Sequence, residues 1–399
     1  MSDPRPRIVI TGMGCVCAAG GTLPDTLDAL FAGRRRHGTR DVKGVSYPIF
    51  GIADEDAPAR YYEVPECQRC GRLATHAAVE AFGQSGYGDK TGGVLQACRV
   101  GVCVGTTIGN TMSNEEFCRE FLVGNYPDVA PIREYLRANP ASMVAKTLSL
   151  RGPLQTVTNA CSSSTVAIGQ AADWIASGVC DVAVAGGADM LSNVTHTGFL
   201  SLMITDSELC RPFDLDRRGL NLGEGAGMLV LESESRARAR GARVLAYLRG
   251  YGNSADAYHI SAPNPDGSGL RRAVLQALEE AGLSPSDLAF INAHGTGTHG
   301  NDRVEGLFFD SLFPDTPISA TKGYTGHTLG ASGAIEAALT VSFLTAGRIP
   351  ASAGFETSDP EFHTSPVSEI TVVEGRYAMS DSVAFGGNNA ALIFERGDT

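Results

Sequence analysis

Short apolar runs bounded by glycine, asparagine or aspartate recur along this chain, and longer segments of helical periodicity lie between them. The runs are residues 100–104, 154–157, 182–185, 228–231, 288–291 and 370–373; the helical patterns include 73–82, 164–177, 270–281 and 334–345. An uninterrupted apolar run of this length suits a strand covered on both faces. Strands alternating with helices predict an α/β architecture with a mainly parallel sheet between helical layers. The chain has 399 residues, 43% of them hydrophobic, which is ample for one large core or two fused cores. Residues 33–65 and 108–140 are the most irregular stretches and read as insertions over that core.

The formal net charge of -12 argues against nucleic acid as a bulk partner, so an acidic partner would need a local basic patch. No run of 18 apolar residues occurs, and no transmembrane helix is expected. The first apolar run, near residue 8, is too short for a signal peptide and reads as a strand. These features predict a cytoplasmic protein whose 10 cysteines are mostly reduced thiols. Cys15 with Cys17, and Cys67 with Cys70, lack local ligand partners and read as small buried apolar residues rather than a metal site.

One run ends in Thr158-Asn159-Ala160-Cys161 and another in Asn292-Ala293-His294. The echo suggests a duplication, with residues 1–250 carrying the cysteine and 251–399 carrying His294 and a second histidine, His327. No low-complexity linker separates the two halves, which are expected to pack as one unit.

Cys161 precedes a helical pattern over 162–177, so it is expected at a helix N-terminus. Unsatisfied N–H groups there would favour thiolate over thiol and would bind an oxyanion on an attached acyl carbon. His294 opens His294-Gly295-Thr296-Gly297-Thr298, and His327 lies between Gly326 and Gly330 ahead of another helical pattern. Lys322 precedes His327 by five positions and Glu336 follows it by nine. A thiol nucleophile with two imidazoles suits acyl transfer to sulfur and activation of a second acyl group.

From about residue 7 to 395 the chain resembles a β-ketoacyl-[acyl-carrier-protein] synthase of the elongating type, with one cysteine and two histidines. The resemblance rests on Cys210-Arg211-Pro212-Phe213-Asp214, Leu222-Gly223-Glu224-Gly225-Ala226-Gly227, the stretches from His294 and Lys322, and Ala384-Phe385-Gly386-Gly387-Asn388-Asn389. It implies a thiolase-like fold of two related α/β halves with layered, mainly parallel or mixed sheets, usually dimeric. By the same resemblance, Cys161 takes an acyl chain from a carrier-protein thioester. His294 and His327 hold the malonyl thioester carbonyl while CO2 leaves. The N–H groups of Cys161 and Phe385 bind the oxyanion. Lys322 and Glu336 orient the His327 region, Phe385 gates acyl and malonyl binding, and Thr296 and Thr298 bind the phosphopantetheine arm. Neither a metal nor a redox cofactor is implied. Loose positional resemblance places Arg69, Arg72 and Arg211 at a carrier-docking patch, and Asn114 at the end of the acyl pocket.

The chain departs from the family pattern at Asn388, at Val383, at His299 and Asn301, and in a shortened stretch over 201–210. These positions surround the implied catalytic set, so they bear on the substrate: a fatty-acid chain, or a polyketide or polyene intermediate. A thiolase would need a second late cysteine, and the last one here is Cys210. A chain-length-determining subunit would lack the nucleophile. The chain therefore reads as an active synthase, in a homodimer or as the active subunit of a heterodimer with such a partner.

Overall fold

The structure, a computed structural model, describes residues 6–53, 68–88, 98–137 and 139–397. The first part of the chain runs β1 (Ile8–Cys17), α1 (Leu23–Phe31), β2 (Gly38–Val42), β3 (Val45–Phe50), α2 (Arg69–Gln84) and β4 (Val100–Gly105). Next come α3 (Glu115–Leu122), α4 (Ala130–Arg137), α5 (Pro140–Leu148), β5 (Leu154–Val157), α6 (Ser163–Ala176) and β6 (Val182–Asp189). This part closes with α7 (Asn193–Ser201), β7 (Leu222–Gly223), β8 (Gly225–Ser233) and α8 (Glu234–Ala239). The second part runs β9 (Ala246–Ala255), α9 (Ser268–Ala281), β10 (Leu288–Asn292), α10 (His299–Leu312), β11 (Ile318–Ser319) and α11 (Lys322–Thr325). It ends with α12 (Ser332–Ala346), β12 (Arg348–Ile349), β13 (Thr371–Val372), β14 (Tyr377–Ala384) and β15 (Asn388–Arg396).

Among the described residues, ten strands join in the order β11-β10-β14-β15-β9-β1-β8-β6-β4-β5. The sheet is mixed, one of the arrangements the resemblance implied, and not the mainly parallel one that strand–helix alternation alone suggested. β4 pairs in parallel with β5 and β6, and β10 with β11 and β14. The central strands β8, β1, β9 and β15 are antiparallel to their neighbours. The difference arises where the apolar runs understate strand length. The run 228–231 is the middle of β8, and β14 turns directly into β15 through a tight bend at Phe385–Gly387. The run 370–373 forms only the short β13, paired with β12 outside the main sheet.

Leaving aside the small sheets β2-β3-β7 and β12-β13, the strands on either side of the β1–β9 seam follow the same order. From the outer edge inward, each side reads third, second, fourth, fifth, first in chain order, with matching parallel and antiparallel pairings. The echo between Cys161 and His294 does not align equivalent positions, however. Cys161 follows β5, the third strand of its side, whereas His294 follows β10, the second. The counterpart of the β5–α6 connection is the β11–α12 connection, which carries Lys322 and His327. Residue 250 lies within β9.

Helices α6 and α12 lie against one another in the core, where Ala167, Ile168 and Ala171 share a cluster with Ala334, Ile335 and Ala338. A Cβ at Gly333 would come within 1.9 Å of Thr165 Oγ1, so this approach requires glycine. The Ser164 hydroxyl accepts the Ala334 N–H at 2.9 Å, tying one helix to the other. The segment Leu329–Ala346 has a mean hydropathy of 1.4, enough to cross a membrane by length and composition, and 83% of it is buried within the fold. A helix apolar on all sides is what a protein core demands. Ser332, Glu336 and Thr340 interrupt it, which is why no uninterrupted apolar run was read there.

Of the regions expected to be irregular, 38–50 forms the β2–β3 hairpin and 115–137 holds α3 and α4. Cys15, Cys17 and Cys70 are fully buried; Cys67 lies outside the described residues.

Candidate active site

Cys161 sits in the sharp turn between β5 and α6. Ala160 before it adopts φ 48°, a left-handed conformation that costs a non-glycine residue about 1 kcal/mol or more. The turn is held by its own side chains. The Asn159 N–H donates to Ser163 Oγ at 2.7 Å, and the Ser162 hydroxyl to the Asn159 carbonyl at 2.9 Å. α6 begins at Ser163, so the thiol lies just ahead of the helix.

The His327 ring meets this thiol, with Nε2 3.0 Å from Cys161 Sγ. His327 Nδ1 lies 3.0 Å from the Ser332 hydroxyl, a group able to donate or accept. His294 stands at a right angle to His327, ring centroids 5.3 Å apart. The Lys322 Nζ lies 3.1 Å from His294 Nδ1, contacts the His294 carbonyl, and is ion-paired with Glu336. An ammonium has only donors, so Nδ1 must accept and Nε2 of a neutral His294 must carry the proton. The resemblance assigned Lys322 and Glu336 to the His327 region. Lys322 instead contacts His294 directly, Glu336 reaches the site through its ion pair with Lys322, and His327 feels Lys322 through its charge.

Burial dominates the protonation states. It pushes the Cys161 thiol up to about 12, against the opposing pull of Lys322 and of the Phe385 N–H that points at the sulfur. Desolvation of a 5% exposed sulfur thus opposes the thiolate that the start of α6 was expected to favour. Burial, then Lys322, depress both imidazoles well below the ordinary histidine value, so both are neutral. Burial also lifts Glu336 to about 7 despite Lys322.

Three acids that sequence reading missed complete the support. Glu305 on α10 accepts the N–H groups of His294 and Gly295, each at 2.9 Å. Asp302, one turn earlier, accepts those of Thr296, Gly297 and Phe213. Their spacing on one helix face beside a glycine-rich loop was the available signal. Asp381 on β14 is fully buried, and burial raises it to about 7.

The donor atoms of Cys161, His294 and His327 all lie within 4.8 Å of one another, close enough to share one metal ion. The Lys322 ammonium against His294 opposes a dication there by direct charge repulsion.

Two domain families match the chain. "Beta-ketoacyl synthase, N-terminal domain" covers residues 5–237, and "Beta-ketoacyl synthase, C-terminal domain" covers 245–356. The chain belongs to the β-ketoacyl synthase family. Cys161, His294 and His327 are its Cys-His-His triad. The synthase is 35% identical over 407 residues to Nodulation protein E of Rhizobium meliloti (strain 1021), covering 98% of this chain and 99% of that protein. It is 35% identical over 413 residues to 3-oxoacyl-[acyl-carrier-protein] synthase 2 of Synechocystis sp., covering 98% of each. Among solved structures, it resembles a chain of the ishigamide ketosynthase/chain length factor with TM-score 0.89 and 32% identity, covering 98% of this chain and 99% of that one.

The synthase triad forms the floor of a ≈ 280 Å³ cavity. Phe385, Thr296 and Thr298 line it. The Phe385 ring stacks on Phe199, centroids 5.5 Å apart, and Phe199 meets the His327 ring edge-on. Asn114 does not line this cavity. It is buried at the start of α3 with a side-chain oxygen that meets no hydrogen-bond donor among the described residues.

Arg69, Arg72 and Arg211, expected at a docking patch, have other surroundings than the cavity wall. Arg69 is drawn into an ion pair with the buried Glu224 and donates to the Ile52 carbonyl, so it braces the fold. Arg72 is half-buried on α2, and Arg211 lies 3.7 Å from Glu356. None of them lines the cavity, whereas Arg218 and His299 do.

Proposed function

We propose that the chain catalyses the decarboxylative condensation of a malonyl thioester with an acyl chain held on Cys161. The 3.0 Å contact between Cys161 Sγ and His327 Nε2, beside a second neutral imidazole, carries this reading. A neutral His327 takes the thiol proton as the sulfur attacks an acyl-carrier thioester. The carrier leaves as its thiol with the proton that His327 had taken, and His327 then exchanges to its neutral Nε2–H tautomer, in which Nδ1 accepts from the Ser332 hydroxyl. Once Cys161 is acylated, both imidazoles can donate N–H to the malonyl thioester oxygen. Loss of CO2 leaves an enolate whose charge falls on that oxygen, where aimed donors in a dry site lower the barrier. The enolate carbon attacks the acyl carbon. The Phe385 N–H and the N–H groups at the start of α6 stabilise the oxyanion, and collapse expels Cys161 and yields a β-ketoacyl thioester. Lys322 fixes the His294 tautomer through Nδ1.

Acyl carrier protein is the proposed carrier, and Thr296 and Thr298 on the cavity wall suit the amides of its arm. A partner subunit is proposed along the edge strand β5. Its Leu154 is 49% exposed, and α3, α4 and the connection between them present Phe121, Leu122, Tyr126 and Leu136 to solvent. Similarity to a ketosynthase/chain length factor chain favours a heterodimer in which this chain is the active subunit, serving polyketide or polyene rather than fatty-acid synthesis. The division into two related halves is supported by their shared strand order, with the boundary ahead of β9. Nine described cysteines are free thiols, which suits a cytoplasmic setting.

Single-turnover assays of His294→Ala and His327→Ala test the reaction. His294→Ala should still acylate Cys161, His327→Ala should acylate it more slowly for want of the base, and both should lose CO2 release from malonyl carrier by about 10²–10³-fold. Unchanged CO2 release from both would overturn it.

A further inference from the structure

The cavity above the triad is graded from dry to wet. Its floor, Cys161, His294 and His327, is no more than 5% exposed. Its wall is apolar at Phe199, Leu220 and Val383. Its rim is polar and open: Arg218 and His299 are exposed, and Ser261 and Thr298 are half-buried. Among the described residues, no aspartate or glutamate lines it. In a chain of net charge -12, the charged side chain that these residues place on the wall is a cation, Arg218.

The neighbouring Arg217 shows how unusual Arg218 is. Arg217 is 2% exposed, pairs with Asp359 at 2.6 Å and donates to the Asp214 carbonyl. Its charge is spent inside the fold. Arg218 faces the other way, and among the described residues no ion pair or hydrogen bond engages its guanidinium. A planar fork of donors at the mouth of an otherwise uncharged cavity is suited to bidentate capture of a phosphate or carboxylate.

We propose that Arg218, with His299 on the same rim, binds the phosphate of the carrier's phosphopantetheine arm. The inference rests on the condensing function proposed above. The arm ends in the thioester sulfur, which must reach the buried floor, and the phosphate lies at its opposite end. A sulfur delivered to Cys161 places that phosphate toward the rim. The malonyl carboxylate does not compete for Arg218, because it must sit at the floor by the imidazoles. Arg218 is thus a substrate-recognition residue that acts on the arm and not on the acyl chain.

Alkylation of Cys161 tests this without any condensation. Bromoacetyl-phosphopantetheine and bromoacetyl-pantetheine differ only in the phosphate, and intact mass gives the alkylation rate of each. At subsaturating reagent, Arg218→Ala should slow the phosphorylated reagent by about tenfold or more. It should leave the unphosphorylated reagent and iodoacetamide unchanged, and Arg218→Lys should restore part of the difference. Equal rates for the two arm reagents in the native protein overturn the proposal, as does equal slowing of both in Arg218→Ala. An effect seen only when the reagent is attached to carrier protein also overturns it, because an acidic side chain of the carrier would then be the partner. Failure of the native protein to condense malonyl carrier, with phosphate discrimination intact, overturns the condensing function and not the anion site.

Discussion

Cys161 Sγ and His327 Nε2, 3.0 Å apart, are brought together from equivalent connections of two like-ordered strand arrays. One follows the third strand of its side and precedes α6; the other follows the third strand of its side and precedes α12. The packing of those two helices therefore sets the distance between nucleophile and base.

That dependence is testable at Gly333. An alanine there would drive its Cβ into Thr165 and force α12 away from α6. Gly333→Ala should cost about 1–3 kcal/mol of stability. Acylation of the folded fraction of Cys161 should also slow at least tenfold. Native acylation kinetics would show that the two helices do not set the site.

The thiol state predicts a pH profile. Burial raises the Cys161 thiol to about 12 and holds His327 neutral, so the resting pair is thiol and imidazole, not thiolate and imidazolium. A raised thiol means a thiolate fraction that grows with pH throughout the accessible range. Iodoacetamide should alkylate Cys161 about tenfold faster for each pH unit between 7 and 10. A plateau reached by pH 8 would reveal a preformed thiolate.

Lys322 should act through His294. In Lys322→Met the Nδ1 atom loses its donor, and the Nε2–H tautomer is no longer enforced. CO2 release from malonyl carrier should fall by about 10²–10³-fold while Cys161 still accepts an acyl group. Because Glu336 is left buried without its counter-ion, Glu336→Gln in the same chain should recover stability but not CO2 release. Equal loss of acylation and decarboxylation would place Lys322 with His327 instead.

Arg69 should behave as a brace. Arg69→Ala strands the buried Glu224 carboxylate and should lower stability by up to about 3 kcal/mol. The KM for carrier-bound substrate, measured well below the melting temperature, should not change. A raised KM with unaltered melting would return Arg69 to the docking surface.

The triad was legible in the sequence because its members stand in short glycine-rich or small-residue turns between an apolar run and a helical pattern. The two-sided strand order was not, since strands such as β1, β8 and β15 outrun the apolar segments that announce them. The apparent echo between Cys161 and His294 misled because short motifs recur by chance at strand ends. Contacts that span long stretches of chain were invisible. Arg69 reads as a surface cation until Glu224, 155 residues away, is folded against it. Likewise, Cys161 reads as a thiolate at a helix start until the surrounding core removes its water. Asp302 and Glu305 lay in plain view on α10, but only the fold shows their carboxylates holding the backbone of the His294 loop.

Intact-mass spectrometry of the protein offered acyl carrier, and then malonyl carrier, tests the central claim most directly. The native chain should gain one acyl group on Cys161 and lose it again as a β-ketoacyl product appears on the carrier. Cys161→Ala should gain no mass and make no product. A covalent acyl adduct in Cys161→Ala, or product formed without an adduct in the native chain, would contradict it.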